Sequence, residues 1–227
     1  MGGTDEGAMR DLACEHVLAS QDKQLRMNGA HDGARFWVDL EQGELVFKRG
    51  LLFGKKERYR CQILALTGPA GWTWSWADPR VPALLTRAAI TVRARGERDG
   101  LSTFTTPSLT LSGAEDAISL ALVCVGLLRA HFYLLVTTDE LGDAWVVVTD
   151  PAYAMPPLEP FARFLEMLQL IGQIPLPEHR QPLSSYARWL GLRVEDRPAG
   201  ILRVASDRDA VDLSFDAFAL VAGASVG

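Results

Sequence analysis

The sequence predicts an α+β fold: a mainly antiparallel sheet with helices packed against it, plus a small C-terminal helical and strand unit. Three observations carry this reading. Short runs pair around glycine-containing turns at 36–40 with 44–48, and at 132–138 with 144–149, the signature of β-hairpins. A helical pattern followed by paired strands occurs near both ends of the chain. The stretch 150–160, DPAYAMPPLEP, holds four prolines that resist regular structure and reads as a linker. The predicted organisation is therefore an α+β domain over 6–150, a Pro-rich linker at 151–160 and a smaller unit over 161–227, either separate or packed into the same domain.

The elements follow in order. Residues 6–27 are polar-rich, with Leu12, His16, Val17, Leu25 and Met27 loosely spaced, which indicates one amphipathic helix. The first hairpin, FWVDL and ELVFK, turns at Glu41-Gln42-Gly43. Residues 59–66 alternate Tyr59, Cys61 and Ile63 with Arg60 and Gln62, the period of a half-buried strand. A turn at 67–71 leads to GWTWSWADPRVP, in which Trp72, Trp74 and Trp76 stand two apart and should share one strand face. Asp78 is placed to cap a helix, with Pro79 at its first position and Leu84, Leu85, Ala88 and Val92 as its stripe. Gly96 or Gly100 would end it.

Ser112 and Glu115 form a capping-box pattern before an apolar helix over 114–130, predicted to be the most buried. The second hairpin is apolar on both faces, which predicts central positions in a covered sheet. Beyond the linker come a helix over 160–172, another over 184–190 closed by Gly191, and strands at 201–205 and 210–215. The tail 217–227 has no clear assignment.

The 227 residues are 48% hydrophobic and 22% charged, a globular balance, and the formal charge of −5 argues against a nucleic-acid partner. The longest apolar run, 118–128, is too short to span a bilayer, and the N-terminal segment lacks a signal-peptide core. Three widely spaced cysteines without a CxxC pair predict reduced, buried thiols and a cytoplasmic setting.

The segment GWTWSWADPRVP, the run LLTRAAITVRARGERDGL and the following FTTPSL resemble a bacterial family known only as a domain of unknown function. Its strand carries a Gly-aromatic-Trp-x-Trp-Ala-Asn/Asp motif, followed by a proline-containing helix start and a Thr-Thr-Pro connection. The resemblance covers roughly 12–150 and leaves about 75 further residues outside it. It implies an α+β architecture and no mechanism.

Common catalytic patterns fail. Gly50 to Lys56 has one residue too few between its glycines for a P-loop, and lacks Ser or Thr after the lysine. His16, His31, His131 and His179 lie in separate segments without zinc spacing, and Asp207, Asp209 and Asp212 lack the glycine and distal glutamate of a calcium loop. There is no GxSxG or SxxK nucleophile, and Cys124 falls inside the apolar helix. His131 reads as a helix C-cap. The basic run FGKKERYR at 53–60 reads as a solvated turn, with a phosphate-binding role as its alternative.

The expectation is therefore no catalytic residue, no metal and no cofactor. The indoles should serve mainly as core, with one partly exposed; the alternative is an aromatic platform. Trp72, Trp74, Trp76, Asp78 and Arg80 are the candidate ligand- or partner-binding residues. The predicted function is a non-catalytic cytoplasmic binding or interaction module, accessory or immunity-type, whose partner is an unknown protein or small ligand. The alternative is an enzyme or small-ligand binder with its site in the groove between the main domain and the C-terminal unit.

Overall fold

The computed structural model describes the backbone of residues 3–50, 54–68, 71–155, 159–174 and 176–226, and side chains from residue 5 onward. Phe53, part of the 67–71 turn and the middle of the Pro-rich stretch therefore lie outside the described residues. The chain opens with a long helix, α1 (Gly3–Ala30), then the hairpin β1 (Arg35–Asp39) and β2 (Glu44–Lys48), turning at Gly43 with φ 67°. The longest strand, β3 (Lys56–Gly68), pairs with β2 along its first half and with β4 (Gly71–Trp74) along its last. Next come α2 (Arg87–Asp99), the single turn α3 (Ser102–Thr105), the short strand β5 (Ser108–Leu109) against β4, and α4 (Ala114–Leu127). The hairpin β6 (Phe132–Thr138) and β7 (Gly142–Val148) completes a seven-stranded antiparallel sheet through β7 on β3.

The β3 register shifts between Ile63 and Ala65. This bulge reverses the alternation, so Cys61, Ile63 and Leu66 face one core while Leu64 and Ala65 face another. The first core holds Trp72, Trp74, Trp145 and the buried face of α4; the second holds Phe47, Phe132 and Tyr153.

The C-terminal part contributes α5 (Pro160–Leu170), α6 (Arg180–Trp189) and a four-stranded sheet. Its strands are β8 (Arg193–Asp196), β9 (Leu202–Ala205), β10 (Ala210–Phe215) and β11 (Val221–Val226), in the order β11-β10-β9-β8. Glu159 caps α5 by accepting from the amides of Phe161 and Ala162, with Pro160 opening the helix. The third core, around Phe164, Leu183, Tyr186 and Val211, also takes in Leu18 and Ala19 of α1. Helix α1 thus serves all three cores. Asp22 on α1 is fully buried and accepts from Arg163 on α5.

Several local expectations need correction. No helix starts at Pro79. Residues 75–77 and 83–85 form two isolated 3-10 turns, and α2 begins only at Arg87. The carboxylate of Asp78 is taken by Arg80, through its backbone amide and its guanidinium, so it caps nothing. Gly100 does end α2, at φ 71°. Helix α4 has Gly113 at its N-cap, and Asp116, rather than Glu115, reaches back to the Ser112 amide. In the second hairpin β7 is central, but β6 pairs only with β7 and leaves Leu135 exposed. No helix of the described residues is long and apolar enough to cross a membrane.

Candidate functional site

Trp72 and Trp74 are fully buried, 5.4 Å apart in an edge-to-face arrangement. At about 200 Å² per indole and about 25 cal/mol per Å², each ring contributes about 5 kcal/mol of transfer free energy. Their strand is pinned closely: the Trp74 amide donates to Pro107 O, its Nε1 donates to Thr103 O, and Trp72 sits opposite Leu109. Gly71, at φ 92°, permits this approach, since a Cβ there would lie 2.3 Å from Leu109 O.

Trp76 leaves the strand. The chain turns after Trp74, and the buried Ser75 hydroxyl donates to Ile63 O instead of facing water. Trp76 is half-buried beneath the Arg93 guanidinium, 4.5 Å from its ring centre. Asp78 and Arg80 pair with each other nearby, and the Arg80 bonds hold the Asp78 carboxyl below its usual range. The five candidate residues therefore divide: two indoles in the core, one under an arginine, and a surface ion pair.

The other motif residues are also accounted for. Arg58 pairs with Glu44 and Asp39, Arg60 meets Asp150, and Lys56 lies over Trp37. The thiols of Cys14, Cys61 and Cys124 are free and buried. Burial raises all three, Cys14 to about 11 and Cys61 to about 12. His131 caps no helix; its amide continues the sheet to Val148 O, and its ring lies beside Tyr153. Among the described residues no cluster of His, Cys, Asp or Glu could hold a metal ion.

Several grooves flank α1, and two of them bear on function. One, of about 640 Å³, lies between α1, the α3–β5 connection and α4, and is lined by Met9, Leu109, Leu111, Leu120 and a rim of Ser and Thr hydroxyls. The Trp strand backs it by holding the Thr103–Pro107 segment in place. The other, of about 730 Å³, lies between α1, the end of α4 and α6, where the sheet-bearing part meets the C-terminal part. Its chemistry is different: His16, Lys23, Arg129, Gln181, Arg188 and Trp189 line it.

Each of these side chains is placed by identifiable local structure. Helices α1 and α4 touch at Gly126, where a Cβ would lie 2.4 Å from His16 Cβ, so no larger residue fits without parting them. Helix α4 then ends through Arg129, which adopts a left-handed φ of 53° while its amide donates to Gly126 O. Lys23 donates to Ala130 O at 3.0 Å and lies 5.7 Å from the Trp189 ring. Burial lowers the Lys23 ammonium and the His16 imidazole below their ordinary ranges, with Asp22 opposing the first shift and Glu15 the second. Trp189 is 44% exposed and ends a run of near-parallel rings, Phe164, Tyr186 and Trp189. No sequence pattern links these residues, because they come from three segments separated by more than 50 positions.

A family model described as "Family of unknown function (DUF6882)" matches residues 10–151, covering the larger sheet and most of α1. No curated protein and no solved structure matches the chain.

Proposed function

We propose that this protein, which belongs to that family of unknown function, is a non-catalytic binding module whose small-ligand site is the groove between α1, α4 and α6. One observation carries the reading: this groove gathers polar side chains from three elements, and two of them, Lys23 and His16, titrate away from their ordinary ranges. Perturbed ionisable groups are enriched at functional sites, and the volume is that of ordinary small-molecule pockets. The other groove is lined by apolar side chains and hydroxyls, with Arg10 and Asp116 as its charged groups. Binding rather than turnover is favoured because the Lys23 ammonium is engaged as a donor to Ala130 O and the buried thiols are held protonated. The free thiols also support a cytoplasmic setting.

The ladder enters this reading as scaffold. Trp72 and Trp74 fix the sheet against α4, while Trp76, Asp78 and Arg80 secure the turn that follows. The test is a screen of neutral and charged fragments, followed through the indole N–H resonances of the six tryptophans. Hits should move Trp189 and leave Trp72 and Trp74 in place. A screen in which no fragment perturbs Trp189 would overturn the assignment.

A further inference from the structure

We infer that the groove between α1, α4 and α6 takes a small phosphomonoester that carries an aromatic ring, an inference that rests on the groove being the ligand site. Its lining sets three cations, Lys23, Arg129 and Arg188, against one carboxylate, Glu15, in a chain whose formal charge is −5. The cationic character is therefore local, and composition does not explain it. Glu15 lies 3.9 Å from His16 Nε2, at the edge of that set.

The cations reach the groove from three separate elements, as a ligand clamp requires. Among the described residues, neither Arg129 nor Arg188 makes a side-chain hydrogen bond or ion pair, so both guanidinium forks are free to meet an anion. Arg129 also occupies a left-handed backbone position where glycine is the common choice, at a cost of about 1 kcal/mol. The turn at Arg129 places its side chain in the groove lining. Two planar forks and one ammonium match a dianionic phosphate, which can accept bidentate pairs from guanidinium groups.

The aromatic half follows from Trp189. Its exposed indole stands at the groove on a stack, 5.9 Å from Tyr186 at 17°, with Tyr186 in turn 6.2 Å from Phe164 at 19°. A ring so supported is already ordered, so stacking a ligand ring on it sacrifices little side-chain entropy. The volume of about 730 Å³ accommodates a molecule of mononucleotide size.

Calorimetric titration with AMP, GMP and UMP, beside adenosine and inorganic phosphate, tests this. At least one nucleotide should bind at least about tenfold more tightly than adenosine or phosphate alone, which is about 1.4 kcal/mol. Arg129→Gln and Arg188→Gln should each weaken it about tenfold or more, with unchanged thermal midpoints showing intact folds. Trp189→Leu should weaken the nucleotide while sparing inorganic phosphate. Binding of adenosine as tight as that of AMP, survival of nucleotide binding in the Arg129→Gln/Arg188→Gln double variant, or failure of all three nucleotides would overturn the inference. If neutral fragments still perturb Trp189 in that last case, the groove stands as the site and only the phosphate class falls. If nothing perturbs Trp189, both fall together.

Discussion

At the scale of single residues, the two buried indoles differ in one atom's fate. Trp74 Nε1 donates to Thr103 O, whereas Trp72 Nε1 is buried without an acceptor among the described residues. Replacing either by Phe removes similar ring volume, but Trp74→Phe also leaves a buried carbonyl unpaired. Trp74→Phe should therefore be less stable than Trp72→Phe by about 1 kcal/mol in urea unfolding. Equal midpoints would show that the Thr103 bond contributes nothing. The core role of Trp72 and Trp74 was legible from their spacing and β-propensity. The departure of Trp76 was not, because it depends on the Ser75 hydroxyl reaching Ile63 O, a contact twelve positions away. Asp78 is equally instructive: a carboxylate with ideal capping position served a nearer donor, the Arg80 guanidinium, and the helix began at Arg87, eight residues after the expected start at Pro79.

At the scale of elements, α1 explains why its own pattern was loose. Leu12 and Val17 face one core, Met27 a second, and Leu18 and Ala19 a third, so its apolar residues wrap around the axis instead of forming one stripe. Its polar attachment to α5 is Asp22, wholly buried, which accepts from Arg163 and lies 3.7 Å from Arg26. Asp22→Asn removes the charge while preserving shape, leaving two cations with a weaker partner. Breaking a buried pair costs about 3–5 kcal/mol. Arg163 keeps Glu166 and some solvent access, so the loss should fall near the lower figure, read as a lower urea midpoint. An unchanged midpoint would show that apolar packing alone seats α5. The hairpins and α4 were legible because their patterns are local. The strands β8 and β11 were not: one is charged, the other small and exposed, and each exists by pairing with a neighbour.

At the scale of the whole molecule, the four histidines act in one direction. Burial is the first cause in each case and lowers His16, His31, His131 and His179 below the ordinary value near 6.5. The folded chain therefore binds protons less readily than the unfolded chain through that region. Their contribution is whole above the unfolded value and is lost as pH falls below it, from about 6.5 downward. Asp78 and Asp150, held low chiefly by bonds from Arg80 and from the Arg60 amide, act in a separate window below about pH 4. The thermal midpoint should accordingly drop by several degrees between about pH 7.5 and about pH 5.5; a flat profile there would contradict the burial of these rings. The groove was legible in the sequence only as a place, the boundary before the C-terminal unit. Its residues, near positions 16–23, 126–129 and 181–189, converge only once α1 has packed on both α4 and α6. The most direct measurement of the central claim is a crystallographic soak with a mixed set of charged and neutral fragments. Bound molecules should recur between Lys23, Arg129, Arg188 and Trp189. Recurrent density in the hydroxyl-rimmed groove or over Trp76, with none between those four side chains, would contradict it.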